Sequence, residues 1–236
     1  AVSHKDRTGS LSVVGLSVGA ALLFQYGHFL EHAIQAAAWI GGYRHAPYMT
    51  GLGHALVQWF GEGAAPAADA ARPGWNPRGW SVDQTARLLL LLKSKSDPQE
   101  LFARSEQLFI TADVGELVAL YRGLPLYPEP TLYAKRGPEG LRTNIKSVFE
   151  AVAHRNPFPR EQFSEDEWNQ MVLKALFIES PLWPMQGLDE RSNPTLARML
   201  VDFAHERWAA GRTVPPELWR CVGPHAAEVN ALDDLA

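Results

Sequence analysis

The stretch Ser164–Glu179, SEDEWNQMVLKALFIE, begins with a serine placed to accept the backbone N–H of Glu167, while the Glu167 carboxylate is placed to reach back to the Ser164 N–H. This reciprocal arrangement satisfies donors that a helix start leaves without partners, so it predicts a helix opening at Glu165. The same grammar recurs along the chain. Ser81 with Gln84 opens SVDQTARLLLLLK (81–93), and Asp97 with Pro98 and Glu100 opens a helix through Phe109. Thr111 is read as the cap of ADVGELVALYR (112–122), which Gly123 and the prolines at 125, 128 and 130 stop. GLRTNIKSVFEAVAHR (140–155), between Pro138 and Asn156-Pro157, reads as one helix with Ile145, Val148, Phe149 and Val152 on one face. Asn193-Pro194 opens TLARMLVDFAHERWAA, Gly211 closes it, and a last short helix follows Pro215-Pro216. No window alternates apolar and polar residues over strand length, so no sheet is expected. The predicted fold class is all-α: stacked helix pairs, as an α-solenoid-like or compact helical array, preceded by an N-terminal transmembrane or buried apolar helix.

Composition narrows the function classes. With 236 residues, 46% hydrophobic and 20% charged, the chain holds one full domain and an appendage, and it folds. A net charge of −4 supplies no electrostatic footprint for nucleic acid, so no nucleic-acid partner is expected. The single Cys221 excludes an internal disulfide.

Charge is unevenly distributed. Between Thr8 and Phe60 only Glu31 and Arg44 are charged, and Ser10 to Leu30 is a run of 21 residues without Asp, Glu, Lys or Arg. About 20 such residues in a helix cross a ~30 Å hydrocarbon core. A single-pass, membrane-associated chain is the leading expectation, with the side of the soluble part undetermined; a buried apolar helix of a complex, or a retained signal segment, are the alternatives. Ala46 to Gly61 is too short to cross alone and reads as an interfacial or packing helix. Residues 1–60 are therefore an apolar N-terminal segment, 61–79 (GEGAAPAADAARPGWNPRG) an Ala/Pro/Gly linker, 80–224 a helical domain and 225–236 a tail.

Within the apolar segment, His28, Glu31 and His32 follow i, i+3, i+4 spacing, so two imidazoles and a carboxylate share one helix face. That constellation is a candidate metal site, and GHFLEH is similar to the zinc-binding core of inverted-zincin peptidases. There the motif lies in a soluble α/β domain, whereas here an uncharged run precedes it. With Gln35 the spacing also resembles small bacterial integral-membrane proteins that carry HFxEHxxQ. A metal or a tetrapyrrole at His28 and His32 is one expectation; polar packing against a partner helix, in a membrane or complex with other subunits, is the other.

Trp80 to Pro224 resembles the EboA-domain family. The resemblance is carried by SVDQTARLLLLL, LFITADVGELVALYRGLPLYPEP, LRTNIKSVFEAVAHRNPFP, WNQMVLKALFIESPLWPMQGLDERSNPTLARMLVDFAHERWAAGR and PELWRCVGP. It implies a helical protein encoded with clusters for secondary-metabolite assembly and precursor export, and brings no established reaction. The apolar segment before Gly61 is not expected within the family's pattern.

The same segments concentrate polar side chains. Arg142, Lys146, Glu150 and His154 recur every four residues as an ion-pair ladder, with Asn144 and Asn169 adding amides that line a polar pocket or cap turns. Asp202 and His205, three apart on the 195–210 helix, form either an acid–base couple or a helix lock. Two functions follow. The favoured one is a non-enzymatic, membrane-anchored accessory binding partner proteins or a hydrophobic metabolite or pigment, as a subunit of a larger pigment- or redox-bearing complex. The alternative is an enzyme or metabolite-processing accessory with a pocket around Glu150, His154, Asp202 and His205.

Overall fold

The computed structural model of the chain describes residues 97–235 and, ahead of them, residues 73, 75–77, 79–81, 84, 85, 87, 88, 91 and 92. The Ser10–Leu30 run, the Ala46–Gly61 stretch and the His28, Glu31, His32 triad lie outside the described residues. Among the described residues every regular element is a helix and no strand occurs, in agreement with the capping pattern. No helix among them is long and apolar enough to cross a membrane. They group into two compact units, one ending at Tyr133 and the other beginning at Ala134.

In the first unit the Ser81 box forms as expected: the Gln84 N–H donates to Ser81 Oγ at 3.4 Å and the Ser81 N–H to Gln84 Oε1 at 3.3 Å. Gln84, Thr85, Arg87, Leu88, Leu91 and Leu92 are helical. Helix α1, Pro98–Thr111, starts at Asp97, whose carboxylate accepts the Glu100 N–H at 2.9 Å. Helix α2, Val114–Arg122, packs on α1 and is capped by Asp113, which corrects the assignment to Thr111. Asp113 Oδ1 accepts from Glu116 N at 2.8 Å and Glu116 Oε2 accepts from Asp113 N at 3.0 Å, a full reciprocal box. Thr111 instead ends α1, its hydroxyl turned back to the Gln107 carbonyl at 3.3 Å. Two 3-10 turns, Leu124–Leu126 and Pro130–Tyr133, close the unit. Trp75 and Trp80 are buried edge to face, so the end of the Ala/Pro/Gly stretch is packed.

The second unit holds α3 (Arg136–Leu141), α4 (Lys146–Ala153), α5 (Phe158–Gln162), α6 (Glu165–Phe177), α7 (Pro194–Ala209) and α8 (Leu218–Val222). Consecutive elements pair: α3 with α4, α4 with α5, α6 with α7 and α7 with α8. The Ser164–Glu167 box opens α6, and Asn193 Oδ1 accepts the Leu196 N–H at 2.8 Å to open α7. Gly211, at φ +69°, takes the left-handed position that ends α7 and suits glycine. The single helix expected over 140–155 is corrected: α3 and α4 are separate, with Arg142 ending one, Asn144 between them and His154 ending the other. At the junction Lys174 Nζ donates to the carbonyls of Leu141 and Thr143, and Thr143 Oγ1 accepts the Ile145 N–H at 3.1 Å, so side chains take groups that a continuous helical ladder would use. The four-step ladder on one helix therefore does not exist as such.

Gly137 in α3 is where two aromatic rings close in. A Cβ there would lie 2.6 Å from Phe163 Cε1 and 2.8 Å from Phe158 Cε1, and both rings are buried edge to face at 6.2 Å. Gly137→Ala is expected to lower stability by about 2 kcal/mol despite the better helix propensity of alanine, read as a shift of the urea midpoint. An unchanged or raised midpoint would show that the rings yield without cost.

Candidate functional site

The first unit carries a cleft of about 350 Å³ between three helical stripes. Leu88 and Leu91 form one wall, Arg104 and Leu108 at i, i+4 of α1 with Ala112 just past its end a second, and Glu116, Ala119 and Leu120 of α2 the third. Its interior is aliphatic, with Leu88, Leu91, Ala119 and Leu120 buried. Among the described residues, three charged groups stand on it: Arg87, Arg104 and Glu116. Arg87 Nη1 donates to Glu116 Oε1 at 2.6 Å, while the second Glu116 oxygen is held by the Asp113 N–H. Such a concave, mostly apolar space with a few placed polar groups is the form of a small-molecule site. Sequence reading missed these residues, because Arg87 and Glu116 are 29 positions apart and each alone looks like a helix-surface charge.

The residues singled out from the sequence lie mainly in the second unit. Lys146, Glu150 and His154 do come together, around Ser180, a residue sequence reading passed over. Ser180 is 3% exposed, and its Oγ is 2.9 Å from Glu150 Oε1 and 3.2 Å from His154 Nε2. His154 Nε2 is also 3.0 Å from the Pro181 carbonyl oxygen. A carbonyl only accepts, so the hydrogen-bond network assigns the ring proton to Nε2. Ser180 then accepts from the imidazole and donates its own proton to Glu150. In this tautomer the imidazole is a donor toward Ser180, the wrong sense for a general base. Lys146 Nζ donates to the Glu179 carbonyl at 2.8 Å and lies 3.9 Å from Glu150 Oε1. The cluster thus pins residues 179–181, where Glu179 holds a left-handed φ of 54° that a non-glycine residue adopts at a cost.

The remaining candidates stand elsewhere. Asn169, 1% exposed, exchanges amide hydrogen bonds with Asn193 at 2.9 and 3.3 Å and so orients the cap of α7. His205 pairs with Asp234 at 3.1 Å rather than with Asp202, which is exposed on α7. Arg142 and Asn144 are exposed. Among the described residues no three His, Cys, Asp or Glu side chains converge as a metal site.

Burial pushes the His154 imidazole below its ordinary value of 6.5, against the opposing pull of Glu150 and the Pro181 carbonyl. The folded state therefore binds this proton less readily than the unfolded chain. The stability contribution is present above about pH 6.5 and declines as pH falls through that value toward the lower folded one. Urea midpoints of the wild type are expected to fall between about pH 7.5 and 5.5 more steeply than those of His154→Gln. Parallel profiles would remove His154 as the cause.

Among the described residues, an all-helical architecture with an apolar cleft that carries Arg87, Arg104 and Glu116 is the class these observations define. Residues 57–223 match the family described as metabolite traffic protein EboA, and the chain belongs to that family. The match begins at residue 57, so the Ala/Pro/Gly stretch at 61–79 falls inside it, ahead of Trp80, where the resemblance read from sequence begins. Comparison with curated proteins and with solved structures returned no match.

Proposed function

We propose that this chain is a non-enzymatic accessory in metabolite traffic that holds a hydrophobic metabolite in the cleft of its first unit. The observation that carries the reading is the aliphatic cleft of about 350 Å³ walled by Leu88, Leu91, Leu108 and Leu120. A family of metabolite traffic proteins needs a place to hold a metabolite, and this space has the size and the lining for one. The uncharged Ser10–Leu30 run serves as membrane anchor and as the docking element toward other subunits.

Both parts are testable on the full chain. Reconstituted in lipid nanodiscs, with empty nanodiscs as blank, it is expected to bind 2-naphthamide saturably at one equivalent by calorimetry. Ala112→Phe, which projects a ring into the cleft from its half-exposed edge, should weaken that binding at least about tenfold, roughly 1.4 kcal/mol, with helix content retained. Binding that Ala112→Phe leaves intact would overturn the cleft assignment. In native membranes the chain should stay in the pellet through high-salt and carbonate washes, since hydrophobic transfer is insensitive to screening. Release into the supernatant would overturn the anchor.

A further inference from the structure

We infer that the cleft takes a hydrophobic carboxylic acid, an apolar body of about two fused rings whose carboxylate is held by Arg104. This rests on the cleft being the binding site, as proposed above. A cavity of about 150 Å³ holds one benzene ring, so 350 Å³ accommodates a two-ring body. The leucine walls offer such a body no hydrogen-bonding groups, which penalises a ligand that is polar along its length.

Charge decides the other end of the ligand. Glu116 is fully engaged: one carboxylate oxygen takes Arg87 at 2.6 Å and the other takes the Asp113 N–H at 3.0 Å. That pair is balanced and held in place by the α2 cap, so it neither repels an anion nor offers a site to a cation. Arg104 differs. Its contact among the described residues is the Gln107 amide oxygen at 3.5 Å, at the outer limit of a hydrogen bond, and no described carboxylate pairs with it. The guanidinium stands one turn before Leu108 on the same stripe of α1, at the end of the apolar wall. Among the described residues the charged lining is two arginines against one glutamate, in a chain of net charge −4. A planar guanidinium at the end of an apolar slot matches a carboxylate in bidentate geometry, and a cationic ligand would meet a net positive rim.

The test compares 2-naphthoate with 2-naphthamide, bodies of the same shape that differ in charge, on the full chain in nanodiscs at low salt. The acid is expected to bind about tenfold tighter than the amide, and the ratio of the two affinities should fall to about one in Arg104→Gln. Raising the salt should narrow the ratio in the wild type as well. Equal affinities in the wild type, or a preference for the acid that survives Arg104→Gln, would overturn this inference while leaving the cleft reading standing. Saturable binding of neither probe would overturn the cleft reading, and this inference with it.

Discussion

Trp168→Ala is expected to destabilise the second unit by about 3–5 kcal/mol, a large share of the 5–15 kcal/mol that holds a typical domain folded. Trp168 lies on α6 and is 1% exposed, so its truncation leaves a cavity the largest side chain of that core had filled. It also removes the floor beneath Arg191, whose guanidinium lies 4.8 Å over the indole and donates to the Pro159 carbonyl at 2.9 Å. Burial already disfavours the charge on Arg191, so losing the ring exposes a strained cation to rearrangement. Trp168→Phe makes an informative companion. The indole Nε1 is buried without a hydrogen-bond partner among the described residues, and phenylalanine removes that donor along with some volume. It is expected to cost about 1 kcal/mol. Urea unfolding followed by circular dichroism measures both variants, and a loss below about 1 kcal/mol for Trp168→Ala would contradict the packing described.

The second large effect is chemical. Cys221, on α8, is fully buried, and burial pushes its thiol up to about 12. At pH 8 such a thiol is ionised in about one molecule in ten thousand, against about a quarter for a thiol at the ordinary value near 8.5. Labelling by a thiolate-specific disulfide reagent should therefore be slower in the native protein than in urea by about a thousandfold or more, proceeding through transient opening. Since α8 packs on α7, Trp168→Ala should speed the labelling in proportion to the stability it removes. Prompt native labelling would mean that α8 is not seated on α7 as described.

The Ser81 cap and the helix starts at Pro98, Glu165 and Pro194 were legible because a cap is a bond between residues three apart, and both partners stand close together in the sequence. Thr111 misled for a related reason. Two capping residues compete there within three positions, and the carboxylate of Asp113 with Glu116 makes two bonds where the threonine hydroxyl turns back on its own helix. The break between α3 and α4 was not legible, because the lysine that holds the junction is 31 to 33 residues away from the carbonyls it takes.

The binding features divide along the same line. Glu150 and His154 were recognised from their spacing, yet what they do depends on Ser180, which closes the cluster from 26 to 30 residues away. The cleft was missed altogether, since its walls come from three stripes and the Arg87–Glu116 ion pair on it spans 29 residues. Sequence alone determined the helical class, the caps at Ser81, Asp97, Ser164 and Asn193, the apolar N-terminal run and the family, all of which rest on residue type at short spacing or on motif identity. Only the tertiary structure decided which charges are balanced and which face an apolar space. Arg87 and Arg104 are alike as residues and differ, among the described residues, in whether folding brings a carboxylate to them, and that depends on how the chain closes on itself.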